Sequence, residues 1–262
     1  MTSHPGFRER LTARAASGGP PQIGIRSQLC SSIVAEVLGF SGFDYVYIDM
    51  EHAPNELMGV LQQCQAIAGT PATPVVRLPG NDKGLIQRLL DVGIENLVVP
   101  MVETVEAARH AVAATRYPPR GIRSAARLHR GNRYGTQGDY ATAIEDRLCL
   151  TVQLETGAAL SRAAAIAGVD GVHAVLFGPA DLAADLGYFG RQDDPAVVAA
   201  IEGAIPEIRG AGKFVGMSVG NAEAGRFWIG KGVDFISVQG DLALLANAVQ
   251  GLAKQYAGVV KG

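Results

Sequence analysis

Two short stretches hold the side chains best placed to do chemistry. In the first, the aromatic and β-branched run Phe43–Ile48 breaks into Asp49, Glu51 and His52, two acids and an imidazole within four residues, ahead of Pro54 and Asn55, which suit a helix start. In the second, Val172–Phe177 breaks into Gly178-Pro179-Ala180-Asp181, an acid and exposed amides where another helix begins. Each reads as a buried strand with polar groups at its carboxyl end, where α/β folds keep their sites. An imidazole among carboxylates suits a general base, and acids directly after strands suit oxygen ligation of a hard divalent ion.

The elements that must position these groups alternate along the chain. Strands are expected at Gln22–Arg26, Tyr45–Ile48, Pro74–Arg77, Asn96–Val99, Leu148–Leu154, Val172–Phe177, Phe214–Ser218 and Phe235–Val238. A first helix is expected near Phe7–Ala16, then helices at Ser32–Leu38, Asn55–Ala68, Lys83–Val92, Thr104–Thr115, Asp139–Asp146, Ala158–Ala167, Pro195–Gly210, Ala222–Gly230 and Leu242–Tyr256. Eight strands with intervening helices read as an α/β fold, a single-domain (β/α)8 TIM barrel over residues 20–262, preceded by an N-terminal helical extension over residues 1–19. A doubly wound open sheet competes. It is less favoured because polar residues close nearly every strand instead of gathering at one switch point. Arg116–Tyr134, rich in proline, glycine and arginine, reads as a long ordered loop on the site face or at a subunit contact.

Composition narrows the partners. A chain of 262 residues suits one barrel, and 48% hydrophobic, 18% charged residues with 33 glycines suit buried parallel strands joined by tight turns. A formal charge of −2 gives no electrostatic reason to expect nucleic acid or an anionic membrane. No apolar run approaches the roughly 18 residues of a membrane span, and the polar N-terminus does not resemble a signal peptide. Cys30, Cys64 and Cys149 are odd in number and widely spaced, the usage of reduced thiols in a cytoplasmic protein.

A barrel brings the polar strand ends to one rim: Arg26, then Asp49, Glu51 and His52, Arg77, Gln153 and Glu155, Asp181, Ser218 and Asn221, and Gln239 and Asp241. Glu155 and Asp181 are the candidate metal ligands. Two protein acids leave positions open for water and substrate, as magnesium sites do, and no cysteine or histidine pair supports zinc. Either acid could instead merely cap the following helix, and His52 could be a structural loop histidine. Their company on one rim with Arg77 favours chemistry.

The sequence resembles a known family. Asp49-x-Glu51-His52-Ala53-Pro54-Asn55, Pro74-Val75-Val76-Arg77, Arg88-Leu89-Leu90-Asp91-Val92-Gly93, Val99-Pro100-Met101-Val102, Arg116-Tyr117-Pro118-Pro119-x-Gly121-Ile122-Arg123, Val152-Gln153-x-Glu155 and Gly178-Pro179-Ala180-Asp181-Leu182 are similar, in order and spacing, to the HpcH/HpaI class II pyruvate aldolases. The resemblance runs from about Gln22 onward. It implies a barrel commonly assembled into hexamers, trimers of dimers, that binds Mg²⁺, Mn²⁺ or Co²⁺ through Glu155 and Asp181. It also implies that pyruvate chelates this ion, with Gln153 and the Gly178–Asp181 backbone around it. His52 matches the family's base, Arg77 its charge-stabilising arginine, Asp91 the acid that strengthens the base, and Asp49 an acid of the site's water network. The implied reaction is reversible cleavage of a 4-hydroxy-2-oxo acid into pyruvate and an aldehyde.

Asp91 stands near the end of a helix that descends away from the strand ends, so its pairing with an imidazole is expected across a subunit contact; otherwise it is a helix-end acid with no part in catalysis. Arg26 and Met50 depart from the heptanedioate-cleaving members, and the His129–Thr136 loop looks closer to the dehydro-deoxyglucarate enzymes. Arg26, Arg123 or Arg127 could grip a distal carboxylate, which favours dicarboxylic or sugar-acid substrates. Equally, they could serve subunit contacts. A Schiff-base mechanism lacks a suitable lysine, because Lys213 precedes its strand. Competing functions are an acyl-CoA lyase of the same superfamily and a catalytically silent barrel that binds a keto acid.

Overall fold

The computed structural model describes residues 6–257, and the extremes of the two expected units, 1–5 and 258–262, lie outside the described residues. The strands are β1 Gln22–Ser27, β2 Tyr45–Asp49, β3 Thr73–Arg77, β4 Asn96–Val99, β5 Cys149–Leu154, β6 Ala174–Phe177, β7 Phe214–Ser218 and β8 Phe235–Gly240. All pair in parallel with their sequence neighbours, and β8 closes on β1, so the sheet is a complete barrel and the open-sheet alternative is excluded. The helices are α1 Phe7–Ser17, α2 Ser32–Phe40, α3 Leu57–Ile67, α4 Lys83–Asp91, α5 Val105–Thr115, α6 Tyr140–Arg147, α7 Gly157–Leu160, α8 Ala163–Ala167, α9 Pro179–Asp185, α10 Pro195–Gly210, α11 Ala222–Gly230 and α12 Asp241–Tyr256.

The period of two along each strand sorts the side chains. On β2, Val46 and Ile48 face the helices while Tyr45, Tyr47 and Asp49 face the barrel axis; on β5, Leu150, Val152 and Leu154 face out while Cys149 and Gln153 face in. The outward set forms the large apolar core shared with the helices. Inside, Tyr45 and Phe235 fill the lower barrel because β1 and β7 offer glycines there: a Cβ at Gly24 or Gly216 would come 2.1 Å from the Tyr45 or Phe235 ring.

The segment expected as an N-terminal extension closes this end. Phe7 and Leu11 of α1 are fully buried, and the Phe7 ring meets Tyr45 and Phe235 edge-on at 4.9 and 5.3 Å. Arg8 donates to the Glu145 and Leu148 carbonyls and Arg10 to those of Asp44 and Pro71, so α1 is pinned across the base of the barrel.

Several elements differ from expectation. The helix expected from Asn55 starts at Leu57, because the Asn55 amide donates to the Asp49 carbonyl and accepts from Gln63 instead of capping. The single helix expected over Ala158–Ala167 is two, α7 and α8, parted at Ser161 and Arg162, where Arg162 leaves helical geometry. The helix expected to begin at Gly178-Pro179-Ala180-Asp181 is the short α9. Within the long loop, Arg130–Gly135 forms a 3-10 run, and Arg130 donates to the Val92 carbonyl at the lower end of α4. That contact places this part of the loop near the base and not on the site face.

Helix α12 is unusual. Of its residues only Asp241 is buried, while Leu242, Leu245, Val249, Leu252 and Tyr256 stay 47–62% exposed along one stripe.

Candidate active site

Inward-facing positions at the strand ends become the walls of a cleft of about 940 Å³ at the barrel mouth. Arg26, Gln28, His52, Arg77, Gln153 and Gly178–Asp181 line it, with Ser218, Asn221, Trp228 and Gln239 beyond.

Asp49 is the hub of the β2 side. Its Oδ1 accepts from the Glu51 and His52 amides at 3.0 and 3.2 Å and from Arg77 Nε at 3.0 Å, while Oδ2 accepts from Arg77 Nη2 at 2.6 Å and Gln28 Nε2 at 3.2 Å. Burial opposes ionisation of this side chain, but the Arg77 fork and the two amides outweigh it and hold its carboxyl below the usual range. Asp49 is fully buried. Its observed work is therefore to shape the loop that carries Glu51 and His52 and to fix Arg77, whose Nη1 meets Glu51 Oε2 at 2.6 Å. The His52 ring reaches into solvent at the cleft, its Nε2 3.9 Å from Glu51 Oε2.

Across the mouth, Glu155 is also buried, held by the Met101 amide on Oε2 at 2.8 Å and by Gln153 Nε2 on Oε1. Met101 adopts φ 52°, a left-handed geometry that few non-glycine residues take. A Cβ at Gly178 would stand 2.6 Å from Glu155 Oε1, so only glycine leaves that oxygen its room. Burial pushes the Glu155 carboxyl up to about 7; the Met101 amide and Gln153 resist, and the charges of Glu51 and Asp181 add to the push. Glu51 is raised as well, by burial first, against the attraction of Arg77. Asp181 is exposed in the first turn of α9, which Pro179 opens. Three acids from the ends of β2, β5 and β6 thus repel one another around the mouth. Among the described residues, no three His, Cys, Asp or Glu side chains are grouped as ligands of a single ion.

Tyr47, Gln28 and Met101 were not singled out from sequence. Tyr47 lies buried beneath the site, its ring 5.9 Å from the Arg26 guanidinium and 5.6 Å from that of Arg77, and its hydroxyl donates to Gln153 Oε1 at 3.4 Å. Its inward place two residues before Asp49 was the signal that could have found it. Gln28 carries no such signal, because it acts from irregular backbone; Met101 stands within the Val99–Val102 motif, but the aim of its amide at Glu155 is set by backbone geometry.

Two expectations about arginines change. Arg123 is fully buried between the Tyr117 and Tyr140 rings and donates to Asp91 Oδ1 at 2.7 Å, so it is committed inside the protein and is not free to grip a substrate carboxylate. Arg127 is exposed on the same loop and does not line the cleft. Asp91 ends α4, and its partner within the chain is Arg123, not His52.

Comparisons with known proteins agree with this geometry. The HpcH/HpaI aldolase/citrate lyase family model matches residues 22–248. The hydroxypyruvate/pyruvate aldolase of Agrobacterium fabrum is 44% identical over 245 residues, covering 93% of this chain and 92% of that protein. The 4-hydroxy-2-oxo-heptane-1,7-dioate aldolase of Salmonella dublin is 46% identical over 243 residues, 92% of each. A crystal structure of an HpcH/HpaI aldolase/citrate lyase family protein from Burkholderia cenocepacia superimposes with a TM-score of 0.88 at 35% identity, covering 95% of this chain and 99% of that one. Fold, site and relatives together define a (β/α)8-barrel carbon–carbon lyase of the aldolase type. Within that class, the chain belongs to the HpcH/HpaI aldolase/citrate lyase family.

Proposed function

We propose that this enzyme reversibly cleaves 4-hydroxy-2-oxo acids, of dicarboxylic or sugar-acid type, to pyruvate and an aldehyde with the help of a bound Mg²⁺, Mn²⁺ or Co²⁺. The observation that carries the reading is the buried Glu155 carboxyl at the mouth, held by the Met101 amide and Gln153 and facing the charges of Glu51 and Asp181, which with burial oppose its ionisation. A set of oxygen donors that disfavours its own ionisation is complemented by a cation, so the residues fit a hard divalent ion. Glu155 and Asp181 would hold it. When bound, the ion supplies a Lewis acid beside the keto oxygen.

The chain's own groups do the rest. Gln153 and the Ala180–Asp181 backbone orient the keto acid, since these first amides of α9 have no partner within the helix, whereas Pro179 has no N–H and the Gly178 amide donates to the Leu154 carbonyl. His52 takes the proton from the C4 hydroxyl, and as the C3–C4 bond breaks its electrons pass to the pyruvate enolate. Arg77, fixed by Asp49 and Glu51 in the cleft wall, stabilises that developing negative charge. Arg26 lies in the same cleft wall. The names of the relatives support keto-acid chemistry of this kind.

The working form is a homo-oligomer, taken as a hexamer built as a trimer of dimers, with Asp91 serving a neighbouring subunit's His52. The exposed apolar stripe of α12 and the exposed Ile33, Val37 and Phe40 of α2 support association. The cytoplasm is the proposed compartment, supported by three free cysteines; no helix among the described residues is long and apolar enough to cross a membrane.

The deciding experiment incubates EDTA-treated protein with a panel of 4-hydroxy-2-oxo acids and reads pyruvate release. Turnover should be absent until Mn²⁺, Mg²⁺ or Co²⁺ is restored. Equal turnover in EDTA would show that Glu155 and Asp181 do not act as ligands of a catalytic ion.

A further inference from the structure

The loop that carries Glu51 and His52 has neither strand nor helix of its own. Residues 50–56 lie between β2 and α3, and the Met50 amide alone extends the ladder, to the Arg77 carbonyl at 3.0 Å. Arg77 is locked by its own bonds to Asp49 and Glu51. His52 is not: its side chain is 56% exposed, and among the described residues no hydrogen bond fixes its ring. An imidazole in that situation stands where its backbone puts it.

One clamp on the loop comes from the barrel axis, the Asp49 carboxylate on the Glu51 and His52 amides. A second comes from the helical layer. Gln63 is fully buried on α3, an amide on the same face as Val60, Cys64 and Ile67. Its Oε1 accepts from Ser27 Oγ at 3.0 Å, and its Nε2 donates to Asn55 Oδ1 at 2.7 Å and to the Gly59 carbonyl at 3.2 Å. Asn55, also buried, continues the route, its Nδ2 donating to the Asp49 carbonyl at 2.7 Å. The direction of these bonds is fixed. Turning the Gln63 amide round would set its oxygen against the Gly59 carbonyl, and turning Asn55 would set an oxygen against the Asp49 carbonyl. A one-way route therefore runs from β1 through α3 to the end of β2, and it closes the loop over residues 49–55 from outside the barrel.

We propose that Gln63, which does not line the cleft, is a positioning residue for the base: through Asn55 it holds the loop that aims His52. This rests on the aldolase reading with His52 as its base, and adds a residue that touches neither substrate nor ion.

The experiment reads pyruvate release from 4-hydroxy-2-oxo acids with Mn²⁺, with kcat expressed per Mn²⁺ site counted by calorimetry, so that unfolded protein does not register. In Gln63→Met, which keeps the length but not the bonds, kcat should fall about ten-fold or more while KM and Mn²⁺ affinity stay within about two-fold. The candidate ligands are spared because they stand on the β5 and β6 side of the mouth. The solvent deuterium isotope effect on kcat should rise, since an ill-placed base slows proton transfer. Asn55→Asp, which puts an oxygen against the Asp49 carbonyl, should act in the same way, and the double variant should lose little more than the worse single one, as members of one route do. Ser27→Ala removes only the first donor, a milder change that should still lower kcat about three-fold. Unchanged kcat per site in these variants, with only the unfolding free energy lowered, overturns the proposal and leaves the aldolase reading standing. So does a loss of Mn²⁺ affinity as large as the fall in kcat, the result of a mouth distorted as a whole. A wild type that releases no pyruvate overturns both.

Discussion

At the scale of single residues, the site shows one carboxylate stabilised as an anion and another held in conflict. Asp49 is neutralised by Arg77 and two amides. Glu155 is buried beside other acids, and its carboxyl is raised from the ordinary 4.5 to about 7. Because the folded state binds that proton more tightly, the stability it contributes is fully present at low pH and lost as pH rises through about 7 in the metal-free protein. Replacing Glu155 with Gln should therefore raise metal-free stability at pH 8 by about 2–3 kcal/mol in urea titrations while abolishing metal-dependent turnover. A destabilised Glu155→Gln protein would contradict the conflict described. In the parent enzyme, the same proton competes with the cation, so Mn²⁺ affinity by calorimetry should weaken as pH falls below about 7.

At the scale of elements, the base and mouth of the barrel divide the labour. Alternation along β2 and β5 puts aromatic and small residues low and acids or amides high on the same inward face, so packing below fixes chemistry above. Helix α1 completes the lower layer. Truncating Phe7 to Ala should cost about 3–5 kcal/mol of unfolding free energy, since it leaves a cavity against Tyr45 and Phe235. A loss below about 1 kcal/mol would show that α1 is an appendage after all. The eight strands were legible because a buried parallel strand is a short apolar run between turn residues. The division of the Ala158–Ala167 segment was not, because the alanine-rich sequence favours a continuous helix, while the break is marked by tertiary and local contacts of Ser161 and Arg162 with the Ala158 and Glu103 carbonyls.

At the scale of the whole molecule, α12 is the element a lone barrel does not explain. Leu245→Glu combined with Leu252→Glu places two charges on its apolar stripe and should shift the mass measured by light scattering to a smaller assembly. An unchanged mass would place the subunit contact elsewhere. Asp91, held by Arg123 at the lower end of α4, can be tested for work across a contact by complementation. Asp91→Asn and His52→Ala proteins, each impaired alone, should regain activity when mixed and reassembled if Asp91 serves a neighbour's imidazole. No regain would confine Asp91 to its bond with Arg123.

The local pattern of the chain determined the barrel, the identity of the rim acids, the imidazole and Arg77, because alternation, strand length and the residues that end strands are properties of neighbours in sequence. Tertiary structure decided which charges are satisfied. Arg26, Arg77 and Arg123 look alike in sequence, yet one is left without an acid at the cleft, one is clamped by Asp49 and Glu51, and one is buried against Asp91. An arginine's role follows from the burial and the acids around its guanidinium, and those meet it only once β2 pairs with β3 and the long loop packs on α4.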